Sequence, residues 1–96
     1  MADSSEYRLL ETPGFQKDLD RLGPAASRRI RGVLVTRLYP VLRATPRQVP
    51  SAACLRDWEP PTWRIRLGSW RLFYEIDDEQ RIVSLTAADH RKDAYR

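Results

Sequence analysis

Arginine residues cluster around one short turn in the second half of this 96-residue chain. Arg64 and Arg66 precede the Gly-Ser pair at residues 68–69, and Arg71 follows it. A two-residue hairpin loop at Gly-Ser would set Arg66 directly opposite Arg71 on one face of two paired strands. Like charges in that arrangement repel, and a bound anion relieves the repulsion. Arg64, Arg66 and Arg71 are therefore candidate phosphate-binding residues, and Phe73 on the same face is a candidate for stacking on a base.

The last residues of the chain hold the single histidine, His90, with Arg91 next to it and Tyr95 nearby. Imidazole, with an ordinary pKa of ~6.5, exchanges protons near neutral pH. Cleavage of RNA by its own 2′-hydroxyl needs a base, cations for the charge at phosphorus, and an acid for the departing oxygen. These three residues are of suitable types. The alternatives are a structural or solvated His90, a Tyr95 that caps the core, and a solvated arginine face partly neutralised by Glu75.

Elements that could position these residues follow from the spacing of apolar residues. Thr12 and Pro13 are typical of a helix start, and Gly-Pro at residues 23–24 separates that helix from a second, basic amphipathic one. Alternation of period two then predicts antiparallel strands joined by tight turns. The expected elements are a strand at 7–11, helices at 13–22 and 24–38, a loop at 39–51, and strands at 63–67, 70–77 and 81–87. The sequence thus predicts an α+β fold in which an N-terminal strand and a two-helix hairpin pack on an antiparallel meander.

The charge is unevenly distributed along the chain. Residues 21–56 contain eight arginines and no acidic residue, within a net charge of +4. Fifteen of the seventeen basic residues are arginine, whose planar guanidinium suits phosphates and carboxylates. This block favours nucleic acid or an acidic protein as partner, and the alternative is a compositional bias on a solvated surface.

Length and composition exclude several classes of protein. Ninety-six residues with 42% hydrophobic side chains predict one folded domain over residues 1–96, with residues 1–6 expected to be flexible. We expect no membrane span, because no apolar stretch approaches ~18 residues, and no secretory signal, so that the protein would be cytoplasmic. One cysteine, Cys54, excludes an internal disulfide and is expected to be small and partly buried. With a single histidine, the chain predicts neither a metal site nor a cofactor.

Four segments together resemble the RelE/ParE superfamily of toxins from toxin–antitoxin systems, on its RelE side. They are FQKDLDRL at residues 15–22, LRD at 55–57, WRIRLGSWRLFYEIDD at 63–78 and HRKDAYR at 90–96. The similarity extends from about residue 7 to residue 96. Its most specific part is the arginine-containing hairpin followed by the His-Arg and Tyr ending.

The resemblance implies a ribosome-dependent endoribonuclease that cuts mRNA and is restrained by a cognate antitoxin, with operator DNA bound only through the antitoxin complex. Matched residue by residue, the catalytic set is Arg71, His90, Arg91 and Tyr95, and the RNA-binding set is Arg64, Arg66 and Phe73. Some relatives have lysine at positions 64 and 66 and a glutamate near residues 51–53. Arginine is a poor general base, so His90 becomes the candidate for proton transfer.

Two other interpretations remain open. One is a ParE-type inhibitor of DNA gyrase, which shares the fold without an RNA-cleaving centre. The other is a catalytically silent member of the fold that binds only an antitoxin and, through it, DNA. Growth after induction separates them, because a nuclease or a gyrase inhibitor stops growth and a binding module does not.

Overall fold

A five-stranded sheet with helices on one face makes up residues 6–90, the part of the chain that the computed structural model describes. The strands are β1 (Arg8–Glu11), β2 (Ala53–Leu55), β3 (Thr62–Leu67), β4 (Trp70–Asp77) and β5 (Ile82–His90), and the helices are α1 (Pro13–Asp20), α2 (Pro24–Val33) and α3 (Tyr39–Ala44). In the sheet they lie in the order β1-β5-β4-β3-β2, with β1 parallel to β5 and every other pair antiparallel. The expected α+β architecture is confirmed. Residues 1–6 were expected to be flexible, and of these only Glu6 belongs to the described residues, so this prediction is not tested.

Helix α1 begins where the sequence predicts. The Thr12 hydroxyl accepts a hydrogen bond from the Phe15 N–H at 3.2 Å and donates one to the Leu85 carbonyl at 2.9 Å. The same side chain therefore caps the helix and ties it to the sheet. Phe15 and Leu19, four residues apart, are fully buried as the apolar stripe of this helix.

The second helix is longer than the predicted span of 24–38. A π-helical segment, Leu34–Leu38, follows α2, and α3 continues to Ala44, so the predicted loop at residues 39–51 is wrong in its first part. The loop was predicted because residues 39–51 contain three prolines, and proline lacks an N–H and its ring clashes with the preceding helical turn. The N–H of Tyr39 bonds to the carbonyl of Leu34, five residues back, and this wider turn accommodates Pro40. None of the helices among residues 6–90 is long and apolar enough to cross a membrane.

The β3–β4 hairpin has the predicted register. Gly68 has φ of +59°, a conformation that glycine adopts without strain, and Leu67 pairs with Trp70 across the two-residue turn. Ile65, Leu72 and Tyr74 point toward the helices and are fully buried. We call this the helix side of the sheet, and the opposite side the outer face.

The sheet differs from the prediction in two places, the end of strand β5 and the edge beside β3. Strand β5 extends to His90, three residues beyond the predicted end at 87, so His90 lies in a strand and not in a tail. Strand β2 was not predicted at all, because three residues are too few to display an alternating pattern. It forms the sheet edge beside β3, and this edge position leaves Cys54 exposed, contrary to the expected partial burial.

An ion-pair network closes the end of the sheet opposite the Gly68 turn. The Asp78 carboxylate accepts hydrogen bonds from the Arg47 guanidinium, at 3.1 and 2.7 Å, and from the Tyr7 hydroxyl. The hydrogen bonds from Arg47, which have the largest effect, and the bond from Tyr7 lower the pKa of Asp78 from its usual 3.8 to about 2. The network connects the residue before β1, the segment after α3 and the β4–β5 turn.

Candidate functional site

Three arginines lie together on the outer face of the β3–β4 hairpin. Arg66 pairs with Arg71, and Arg64 pairs with Phe73, as the two-residue turn predicts. We call Arg64, Arg66, Arg71 and Phe73 the arginine face. Arg66 is exposed, whereas Arg64, Arg71 and Phe73 are half-buried. The strand alternation that buries Ile65 and Leu72 on the helix side is what places these side chains on the other side.

Arg71 has an acidic partner that the sequence did not predict. Its guanidinium lies 3.0 Å from the Asp89 carboxylate, and the two residues are directly opposite each other on β4 and β5. The two side chains are 41% and 40% exposed, so solvent screening keeps this pair weak. Asp89 was overlooked because β5 was expected to end at residue 87. The pair orients the Arg71 guanidinium without removing it from water.

The other two arginines have no such partner. Within residues 6–90, neither Arg64 nor Arg66 forms an ion pair, and the buried Nε of Arg64 has no hydrogen-bond partner. The backbone of Arg66 is held by Ser51, whose hydroxyl accepts from the Arg66 N–H at 3.2 Å and donates to its carbonyl at 3.0 Å. The arginine face is thus a rigid strand surface with an excess of positive charge that suits a phosphate.

Phe73 lies beneath a second aromatic residue. The ring of Trp58, in the segment between β2 and β3, stacks on Phe73 with centroids 5.6 Å apart and planes inclined by 13°. Trp58 is 51% exposed. Phe73 was predicted as the base-stacking residue of this face, but one side of its ring is occupied by Trp58. No periodic pattern marked Trp58, because it lies in irregular structure.

His90 lies on the other side of the sheet from the arginine face. It pairs with Trp70, and the two rings meet edge to face at 4.9 Å on the helix side. His90 lines a shallow cavity between α2 and the hairpin, which we call the helix-side cavity. Its other principal lining residues are Arg29, Ile30, Val33, Arg37 and Trp70. The structure therefore brings Arg64, Arg66, Arg71 and Phe73 together but does not add His90 to them.

The remaining predicted catalytic residues, Arg91 and Tyr95, lie outside the described residues. Two tyrosines inside the fold have structural roles instead. Burial raises the pKa of Tyr74 and of Tyr39, so both hydroxyls remain protonated. Tyr74 donates to the Pro46 carbonyl at 2.6 Å, and Tyr39 donates to Glu11. Neither hydroxyl is directed at the arginine face.

Comparison with known proteins supports a small toxin of this fold. A family model described as the ParE toxin of type II toxin–antitoxin systems, parDE, matches residues 9–95. Toxin RelG of Mycobacterium tuberculosis is 34% identical over 90 residues, which is 94% of this chain and 97% of that protein.

Solved structures agree with this similarity. The toxin–antitoxin complex RelBE2 of Mycobacterium tuberculosis contains a chain 32% identical to this one, with a TM-score of 0.71 over 90% of this chain and 99% of that chain. The isolated RelE toxin of E. coli shares the fold, at 23% identity and a TM-score of 0.59, over 88% of this chain and 83% of that chain. The chain belongs to the RelE/ParE superfamily and is a toxin of a type II toxin–antitoxin system.

Proposed function

We propose that this toxin is a ribosome-dependent endoribonuclease that cleaves mRNA and so inhibits translation in the cytoplasm. The observation that carries the proposal is the arginine face. Arg66 lies directly opposite Arg71 with Arg64 beside them, and only Arg71 has a carboxylate partner among the described residues. A stable sheet does not require this repulsive arrangement, whereas an RNA backbone turns it into charge-assisted hydrogen bonds.

The proposed reaction is attack of a 2′-hydroxyl on the adjacent phosphate, with departure of the 5′-oxygen. Negative charge increases at phosphorus in the transition state, and guanidinium groups fixed on a strand stabilise it without reorganising. We assign this role to Arg71, with Arg64 and Arg66 binding the flanking backbone. Since arginine does not act as a base at neutral pH, the ribosome contributes by holding the 2′-hydroxyl in line with the phosphate.

The catalytic residues expected near the end of the chain are His90, Arg91 and Tyr95, of which only His90 lies within the described residues. Arg91 is of a type that binds phosphate, whereas His90 and Tyr95 are of types that can transfer a proton. The His90 ring packs against Trp70 on the helix side. A role for His90 in proton transfer therefore requires that substrate also reach the end of β5.

The proposed regulatory partner is an antitoxin with an acidic, amphipathic segment. Ile30, Val33 and Trp70 give the helix-side cavity an apolar floor, and Arg29 and Arg37 are exposed at its rim. Such a segment would bury its apolar side in the cavity and pair its carboxylates with the two arginines. Operator DNA would be bound through that complex.

Inhibition of DNA gyrase is the second candidate function. Two observations favour it: the matching family model is that of ParE toxins, and His90 is separated from the arginine face. In that case the arginines would bind a protein or DNA surface and no RNA would be cut.

Primer extension on a reporter mRNA in a translation extract, with and without ribosomes, tests the proposal. We expect cuts that require ribosomes and that fall by orders of magnitude in Arg71→Ala. Arg8→Ala is the matched control, because Arg8 is an exposed arginine on β1, at the far edge of the same sheet. Cleavage by the control should equal that of the wild type.

Other outcomes of this experiment separate the alternatives. Intact mRNA together with growth arrest on induction would contradict the nuclease proposal and favour gyrase, which a supercoiling assay then checks directly. Intact mRNA with normal growth would identify a binding module.

A further inference from the structure

Trp58 is an exposed aromatic side chain in a fixed position above the arginine face. The backbone N–H of Trp58 donates to the Leu55 carbonyl at 3.2 Å, which folds the segment after β2 into a turn. Two prolines, Pro60 and Pro61, follow, and the Thr62 hydroxyl donates to the Pro60 carbonyl at 3.1 Å. Because proline removes backbone freedom, these features hold the indole where it lies on Phe73.

One face of the Trp58 indole packs on Phe73, and the opposite face is open to solvent. Phe73 contacts the inner face at a centroid distance of 5.6 Å, and half of the Trp58 side chain remains in water. Leu10 and Val35 are the other large apolar side chains exposed to this degree in residues 6–90. Isolated exposed aliphatic residues of that kind need no special explanation. Trp58 differs because its ring is flat and stacks on Phe73, which lies directly opposite Arg64 on the arginine face.

The charges next to the stack are positioned for a nucleotide. Arg64 is the cross-strand neighbour of Phe73, and Arg71 precedes Phe73 by two residues on β4. Two residues along a strand span about 7 Å, so a base on Trp58 and a phosphate on Arg71 are a short backbone step apart. A flat aromatic surface beside guanidinium groups is the arrangement by which proteins bind single-stranded nucleic acid.

We propose that the outer face of Trp58 stacks on a base of the single-stranded mRNA whose phosphates lie on the arginine face. This inference rests on the proposed nuclease function and adds a positioning residue to it. Stacking holds the strand in register so that the phosphate to be cut meets Arg71. Every base has an aromatic face, so the contact favours single strands without selecting one sequence.

Four variants separate base stacking from a merely structural cover over Phe73. Trp58→Ala removes the ring, Trp58→Phe keeps an aromatic face, and Trp58→Leu keeps an apolar cover without one. Leu10→Ala is the control, because Leu10 is 53% exposed and lies on edge strand β1, far from the stack. The readouts are kcat and KM for cleavage on ribosomes programmed with the reporter mRNA.

We expect KM to rise about ten- to a hundredfold in Trp58→Ala and in Trp58→Leu, since base stacking contributes on that scale. Trp58→Phe should recover most of the loss, kcat should change little, and Leu10→Ala should match the wild type. As a second readout, a ten-nucleotide RNA of mixed sequence should quench tryptophan fluorescence in the wild type. In Trp58→Phe, where Trp63 and Trp70 remain, that quenching should disappear.

Two results would overturn the inference while leaving the proposed function intact, namely wild-type KM in Trp58→Leu and wild-type KM in Trp58→Ala. If Trp58→Ala also bound the antitoxin more weakly, Trp58 would be a protein contact. Absence of cleavage by the wild-type chain would instead contradict the proposed function. The fluorescence readout then decides base stacking separately, with quenching that depends on Trp58 supporting it and no quenching overturning it.

Discussion

The two sides of the β3–β4 hairpin hold basic side chains in different surroundings. On the outer face, Arg64, Arg66 and Arg71 project from rigid strands, and only Arg71 has a carboxylate partner within residues 6–90. On the helix side, His90 packs edge to face on Trp70 within an apolar cavity bordered by arginines of α2 and the π-helical segment. Only one residue along each strand separates the two sites, since Trp70 pairs with His90 and the next residue of β4, Arg71, pairs with Asp89.

This comparison shows that one step along a strand separates two kinds of site. Adjacent strand residues point to opposite faces, so proximity in sequence to an arginine does not bring His90 to the arginine face. The outer face suits a polyanion that stays hydrated. The helix side suits a polypeptide with both apolar and acidic groups. We therefore expect substrate and antitoxin to depend on different residues.

The largest change in activity should come from removing the arginines of the arginine face, compared with removing those at the rim of the helix-side cavity. Arg66→Ala combined with Arg71→Ala should lower cleavage on the ribosome by about 10²–10³-fold or more, because preorganised donors to the reacting phosphate are lost. Arg29→Ala combined with Arg37→Ala should leave cleavage within a few-fold of wild type and weaken antitoxin binding. Titration with the purified antitoxin and primer extension measure the two properties. Equal loss of cleavage in both doubles would contradict the division between the two sides.

His90→Ala should have a smaller effect than the arginine substitutions. The ring of His90 lies against Trp70 and away from Arg71, so we expect less than a tenfold fall in kcat, through altered packing at the end of β5. His90→Phe, which restores an aromatic contact to Trp70, should recover it. A loss of kcat as large as that of Arg71→Ala, without recovery by phenylalanine, would instead establish His90 as a proton-transfer residue.

Asp89→Asn should change substrate affinity by a few-fold. The substitution keeps an oxygen that accepts from Arg71 and removes the negative charge beside the proposed phosphate site. We expect a lower KM with little change in kcat, measured by steady-state cleavage, and Glu79→Gln serves as a control because Glu79 is an exposed acid in the β4–β5 turn, at the opposite end of the sheet. A large fall in kcat would mean that the Asp89 carboxylate takes part in the chemistry.

The smallest effect concerns stability at the opposite end of the sheet. Hydrogen bonds from Arg47 and Tyr7 hold the pKa of Asp78 at about 2, below its usual 3.8. The charged carboxylate therefore stabilises the fold fully at pH values above about 4. Stabilisation is lost as pH falls from about 4 through about 2. Asp78→Asn should therefore lower Tm by a few degrees at neutral pH and not at pH 2, in thermal unfolding followed by circular dichroism.

Glu79→Gln is the control for this last prediction, because Glu79 is an exposed acid in the same turn. It should unfold like the wild type at every pH, and cleavage by both variants should be unchanged. A pH-independent difference between Asp78→Asn and the wild type would mean that the network acts through packing and not through charge.

Local patterns in the sequence were sufficient for the helix start at Thr12, the Gly68 turn and the register that pairs Arg66 with Arg71. Each depends on residues close together in the chain, namely a cap with its proline, a glycine with positive φ, and alternation with period two. The arginine face follows from that register, so its members can be identified as a group from the order of residues around the turn.

Other features depend on contacts between distant segments and only the tertiary structure decided them. The helix continues past Pro40 because a π turn accommodates the ring, and β5 reaches His90 because β4 supplies its hydrogen bonds. Trp58 reaches Phe73 through a non-repetitive segment that no periodicity describes. Sequence alone determined which residues share a strand face, since backbone geometry is local. Which partners those residues meet was decided by the fold, because stacking and ion pairing across strands require segments brought together from far apart in the chain.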